Sequence, residues 1–224
     1  MTFNETYFRR YDETDDGEFY QSPRLVVHID EPAIAATTAL FREKLPENGA
    51  ILDLMSSWRS HLPGPVRRTD SGSGGITTDV TYSRVAGLGM NAVELQRNPQ
   101  LTDYVVQNLN QNPMLPYADA EFDGCVITVS VQYLTSPVVV FREVARVLKP
   151  GAPFITVFSN RMFPTKAVAV WQSLDDAGHA QLVETYYQET SLFNGIHTED
   201  RSPSPRYSDP IFATIGSRNG TLAQ

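Results

Sequence analysis

Cysteine is nearly absent from this chain: Cys125 stands alone in 224 residues, so no internal disulfide can form. A disulfide-stapled scaffold is excluded, and a reducing compartment, the cytoplasm, is expected, with Cys125 a small core residue inside an apolar run. No apolar run approaches the roughly 20 residues of a membrane span. The opening stretch, MTFNETYFRRYDETDDGE, has neither the apolar region of a secretion signal nor a basic amphipathic pattern. Positive charge is scarce too, since 18 Lys and Arg face 26 Asp and Glu for a formal net charge of −8. That balance repels a phosphate backbone, and Arg67-Arg68 alone makes no patch, so no nucleic-acid partner is expected. No Cys/His spacing suggests a metal, and no internal repeat emerges.

What is present suffices for one core. With 41% hydrophobic and 20% charged residues, the chain reads as a single domain over 1–224. From residue 50 onward, strand-length apolar runs alternate with helix-period segments, the pattern of an α/β fold with a parallel sheet. Seven strands are expected, at 50–54, 83–88, 103–107, 122–131, 152–158, 193–199 and 210–217. Between the fourth and fifth, Ser136 can cap a helix that starts at Pro137, carries an apolar stripe of Val140, Phe141, Val144, Val147 and Leu148, and stops at Lys149-Pro150-Gly151. Pro32 to Leu45 reads as helix. Residues 164–188 read as one or two helices broken near Gly178, with Trp171 and Leu174 facing inward. The acidic, aromatic stretch 1–31 is expected to cover the sheet edge. Residues 67–79 read as a flexible insertion, because their Ser-Gly run follows no strand and lacks the Lys-Ser/Thr ending of a phosphate-binding loop.

The stretch LPYADAEFDGCVITVSVQYLTSPVVVFREVARVLKPGAPFIT carries a Leu-Pro turn, a Phe-Asp strand opening, a strand, an amphipathic helix and a Leu-Lys-Pro-Gly turn in one order. In this it resembles the class I S-adenosylmethionine-dependent methyltransferases, over roughly residues 33 to 217. The resemblance implies a seven-stranded Rossmann-like sheet with helices on both faces and the last two strands as an antiparallel hairpin. It also implies S-adenosylmethionine as cofactor and a small-molecule acceptor.

The chain departs from the family pattern at two cofactor anchors. The first strand should end on an acidic residue and open into a Gly-x-Gly-x-Gly turn, which lets backbone approach the cofactor. Asp53 keeps the acidic position, but Met55, Ser57 and Arg59 stand where the glycines belong. At the end of the second strand, Gly89 replaces the carboxylate that binds the ribose hydroxyls. LDLMSSWxSHLP followed by GLGMNxxELxxNP resembles a subgroup of methyltransferase-like proteins sharing this glycine-poor turn. By this resemblance the cofactor-binding candidates are Asp53, Met55, Ser56, Ser57, Trp58, Gly87, Leu88, Gly89, Met90, Asn91, Asn108, Leu109 and Ser130. Ser56, Ser57 and Asn91 offer hydrogen bonds, and Gly87 and Gly89 offer close backbone approach.

Methyl transfer from a sulfonium is an in-line displacement that depends on positioning more than on a dedicated triad. Trp58 and Tyr133 either present π faces to the sulfonium or pack. His61 and His28 are candidate general bases with near-neutral pKa, or hydrogen-bonded structural groups. Tyr20, Arg24, Gln132 and Arg161 are the substrate-binding candidates, and Arg161 with Lys166 could receive an acidic acceptor or serve in surface ion pairs. Methyl transfer to a small molecule is the leading reading. The alternatives are a methyltransferase fold turned to another reaction, and a non-catalytic interaction subunit.

Overall fold

The computed structural model describes residues 4–64, 81–203 and 207–220. The expected insertion at 67–79 lies outside the described residues. All seven expected strands form: β1 (Ala50–Leu54), β2 (Arg84–Gly89), β3 (Asp103–Val106), β4 (Gly124–Thr128), β5 (Pro153–Phe158), β6 (Phe193–Asp200) and β7 (Phe212–Arg218). They build one sheet in the order β3-β2-β1-β4-β5-β7-β6. The first five strands pair parallel, whereas β7 pairs antiparallel with both β5 and β6. The order reverses between β1 and β4, and ligands of open α/β sheets bind at such a switch point, outside the carboxyl ends of the strands.

Strand alternation sorts the core into two layers. Leu52, Leu54, Ala86, Leu88, Cys125, Ile127 and Phe154 pack with Val140, Phe141 and Val144 of α4 (Pro137–Val147) and with Leu182, Val183, Tyr186 and Tyr187 of α6 (Asp176–Thr190). On the other face Ile51, Val85, Val126, Ile155 and Val157 meet Ala33, Leu40 and Phe41 of α2 (Glu31–Lys44). Asp30 caps α2 by accepting from Ala33 N at 3.0 Å, and Pro32 fills its first turn. After α4 the chain reverses through Gly151 at φ +79, a conformation only glycine adopts without steric cost.

Three expectations need correction. The helical break falls at residues 173–175, between α5 (Ala169–Gln172) and α6; Gly178 lies inside the first turn of α6, where its N–H donates to the capping carboxylate of Asp175. Trp171 is buried as expected, but Leu174 sits in the exposed break at 36% exposure. The N-terminal segment, with the single helical turn α1 (Asp16–Phe19), runs across the carboxyl ends of the strands and not along a sheet edge.

Candidate functional site

The turn after β1 folds back sharply although it has no glycine. Met55 holds φ +59, the left-handed conformation, and Ser56 N donates to Leu88 O at 2.8 Å, folding the turn onto the end of β2. That approach requires Gly89: a Cβ there would stand 2.1 Å from Ser56 O. The two hydroxyls of the turn are engaged within the protein. Ser56 Oγ donates to Asp53 at 2.5 Å, and Ser57 Oγ donates to Glu94 at 2.6 Å. Glu94, on the short helix α3 (Ala92–Gln96), also accepts from Arg24 N at 2.6 Å. Asn91 caps α3, accepting from Val93 N and Glu94 N, and its NH2 donates to the carbonyls of Tyr20 and Gln21.

The N-terminal segment is tied down by groups from the strand ends. Trp58 Nε1 donates to Val26 O at 2.9 Å. Lys166, wholly buried after β5, donates to Thr14 O at 2.8 Å and pairs with Asp12 and Asp16 at 3.2 and 3.3 Å. Arg10 pairs with Asp16 at 2.6 Å, and Asn110 donates to the same carboxylate at 2.9 Å. Beneath this cover lies a cavity of about 440 Å³, within the roughly 300–1,000 Å³ typical of small-molecule sites.

Its floor is the ends of β1, β2 and β4, and its roof includes Tyr20, Arg24 and His28. Four side-chain atoms of lining residues are buried and lack a hydrogen-bond partner among the described residues: Thr128 Oγ1, Ser130 Oγ, Arg24 Nη1 and Arg10 Nε. Buried polar groups are normally satisfied, so a cavity wall that leaves four open is built to meet polar groups of a ligand. Val129, between the two hydroxyls, is held at φ +51, strained for a β-branched residue and characteristic of functional sites.

Burial sets the protonation of the site. Asp53, fully enclosed, is raised to about 6 by burial, against the hydrogen bonds from Ser56 and Ser60. Burial lifts Tyr133 to about 12, with Phe163 N–H, Gln132 and Arg24 opposing, and it raises Tyr20 further still. Neither tyrosine ionises at neutral pH. Desolvation lowers His28 below its ordinary 6.5, with Glu94 opposing and Arg24 adding to it. His61 falls to about 4 through burial, then Arg59 and His28.

Of the thirteen cofactor-binding candidates, Met55, Ser56, Ser57, Leu88, Gly89, Met90, Asn91, Asn108, Leu109 and Ser130 line this cavity. Asp53, Trp58 and Gly87 do not. Asp53 and Gly87 are direct partners across β1 and β2, and alternation turns both to the α2 face; a Cβ on Gly87 would meet Leu101 at 2.4 Å. Asp53, Trp58 and His61 share a separate recess of about 50 Å³ behind the turn. His28, Tyr133, Tyr20, Arg24 and Arg161 do line the main cavity. Gln132 is buried beside it, its NH2 donating to Val129 O and Arg161 O. Sequence reasoning missed Glu94, Asn110, Phe163 and the pair Arg10 and Asp16. Glu94 was legible as an acid one helical turn beyond the β2 end that lacks one.

Strand order and cavity position define a Rossmann-like methyltransferase fold. Residues 71–156 match a family profile described as a methyltransferase domain, a span that starts beyond the altered β1 turn. Over 74 residues the chain is 32% identical to the biotin biosynthesis bifunctional protein BioHC of Teredinibacter turnerae, covering 32% of this chain and 13% of that protein. Over 80 residues it is 39% identical to the methyltransferase phqN of Penicillium fellutanum, covering 33% and 24%. The chain thus spans under a quarter of the length of these curated relatives. Among solved structures, the S-adenosylmethionine-dependent methyltransferase of Mesorhizobium loti superposes with a TM-score of 0.53 at 15% identity, covering 82% of this chain and 98% of that one. The [4+2]-cyclase SpnF superposes with a TM-score of 0.56 at 16% identity, covering 83% and 81%. At such identities these structures speak to fold alone. The chain thus has the class I methyltransferase fold, with a methyltransferase-domain match confined to residues 71–156.

Proposed function

We propose that this chain transfers a methyl group from S-adenosylmethionine to a small-molecule acceptor held beneath its N-terminal segment. The observation that carries this reading is the 440 Å³ cavity at the switch point of a methyltransferase sheet, with unpartnered Thr128 and Ser130 hydroxyls in its wall. When bound, the cofactor supplies a methyl on a positive sulfonium, poised for in-line displacement.

The residues fit such a group through a rearranged set of contacts. The Glu94 carboxylate lines the cavity where position 89 has no room for one; its two oxygens carry about four lone pairs, enough to receive ribose hydroxyls besides Ser57 and Arg24 N. Asn108 spends its side-chain oxygen on Asn110 N, which leaves the NH2 for a nucleobase, and Leu88, Met90 and Leu109 give that base apolar walls. Thr128 and Ser130 take the polar end. On the acceptor side, His28 is neutral at pH 7 and can receive a proton, whereas Tyr20 and Tyr133 stay protonated. His28 is therefore the base in this reading, since His61 does not line the cavity. Among the described residues no helix is long and apolar enough to cross a membrane, and a single buried thiol suits the cytoplasm, where we place the protein.

Calorimetric titration with S-adenosylmethionine and S-adenosylhomocysteine tests the reading. Micromolar binding of both is expected, weakened about tenfold or more in Glu94→Gln, whose isosteric amide keeps the packing. A folded protein that binds neither would overturn it.

A further inference from the structure

The cavity's cations are not equivalent. Arg10 is paired with Asp16, Lys166 with Asp12 and Asp16, and Arg161 with Asp209 at 2.8 Å. Arg24 has no carboxylate within ion-pair distance among the described residues, and its Nη1 is buried without a partner. Its backbone is fixed, because Glu94 accepts from Arg24 N. Its guanidinium is stacked, lying 4.3 Å from the Phe19 ring, 5.3 Å from Phe163 and 5.7 Å from Tyr20. Aromatic faces hold a guanidinium plane while leaving its edge, where the N–H donors lie, for a ligand. A half-buried cation needs a compensating charge, and Glu94 meets Arg24 through the main chain only.

We infer that the acceptor carries an oxyanion, a carboxylate or phosphate, that Arg24 receives in its donor fork while the body of the molecule lies against Tyr20, Tyr133 and Phe163. This deepens the methyl-transfer reading and rests on it for the word acceptor; the oxyanion site itself stands on Arg24 and the cavity. Arg161 and Lys166, the cations that sequence suggested for an acidic ligand, are already neutralised. A planar, delocalised guanidinium suits either oxyanion bidentately, so geometry selects the charge and not its bearer.

The test uses the whole protein, free and saturated with S-adenosylhomocysteine, and follows three probes by ligand-detected NMR: benzoate, phenyl phosphate and the neutral near-isostere benzamide. At least one anion is expected to bind about tenfold or more tighter than benzamide, and to lose that margin in Arg24→Gln. Lys149→Gln, which removes a surface cation paired with Asp123, is expected to leave the margin unchanged. The ratio of benzoate to phenyl phosphate identifies which oxyanion the fork prefers. Equal binding of all three probes, or no binding of either anion, overturns the inference from the unaltered protein alone, whatever Arg24→Gln does to folding. Because probe binding is read directly, a failure to bind S-adenosylhomocysteine sinks the cofactor reading while leaving the oxyanion result interpretable.

Discussion

Position 89 shows how one atom can reassign a motif. Were the ribose-binding carboxylate simply missing, Gly89→Asp should restore it and tighten cofactor binding. The turn excludes this, because Ser56 O occupies the space of the new Cβ at 2.1 Å. Overpacking against backbone costs about 1–3 kcal/mol, so Gly89→Asp is expected to lower the unfolding free energy from urea titration by that amount and to weaken S-adenosylmethionine binding. Tighter binding in this variant would show that the turn yields and that Glu94 is not the substitute. Asp53 carries a separate signature. Its pKa is raised from 3.8 to about 6, so the fold favours the protonated form. The stability this gives is fully present below about pH 3.8 and is lost as pH rises through about 6, a change on the order of 3 kcal/mol. Asp53→Asn cannot titrate. Comparing denaturant midpoints of the two proteins at about pH 4 and pH 7 should show the wild type losing roughly that much relative to the variant. A difference that stays flat with pH would mean that Asp53 is ionised throughout.

At the scale of elements, legibility in the sequence follows the range of the forces. The strands were readable because each is a short apolar run bounded by turn residues, and α4 because Ser136-Pro137, an apolar stripe and Lys149-Pro150-Gly151 mark both ends locally. The placement of Asp53 and Gly87 was not readable from a motif alone. Alternation sets which face each takes, and both lie at odd steps with Ile51 and Val85, residues that pack against α2. The break before α6 was misplaced because a glycine resembles a helix stop, while here Asp175 caps the helix and Gly178 supplies the capped N–H. The N-terminal segment is hardest to read. Its anchors, Trp58, Asn91, Glu94 and Lys166, come from 32 to more than 150 residues away, and no local pattern announces such contacts.

Taken whole, the molecule is a sheet that builds the floor of a site and a separate stretch of chain that builds its roof, so its function depends on how firmly the two are coupled. Lys166 is the main electrostatic link. It is fully buried and comes from the segment after β5, and among the described residues its ammonium meets N-terminal partners: Thr14 O, Asp12 O, the carboxylates of Asp12 and Asp16, and the Phe19 ring. Replacing it by Met leaves the apolar stem but removes the charge, and Asp16 retains Arg10 and Asn110. Breaking one arm of a buried pair costs about 3–5 kcal/mol, and the lower end applies here because Asp16 stays partnered. The strands of the sheet do not share that loss, since no strand residue is among the side-chain partners of Lys166. Hydrogen exchange on Lys166→Met is therefore expected to speed up in residues 12–20 through local opening, while the amides of β1 and β4 keep their protection. Equal loss in cover and sheet would show that the two unfold as one unit, and the roof could not then open for ligand entry without partial unfolding of the sheet. Selective loss would mean that the chain admits its ligands by lifting the segment that carries Arg24 and His28, so that the site is completed only when the cover is down.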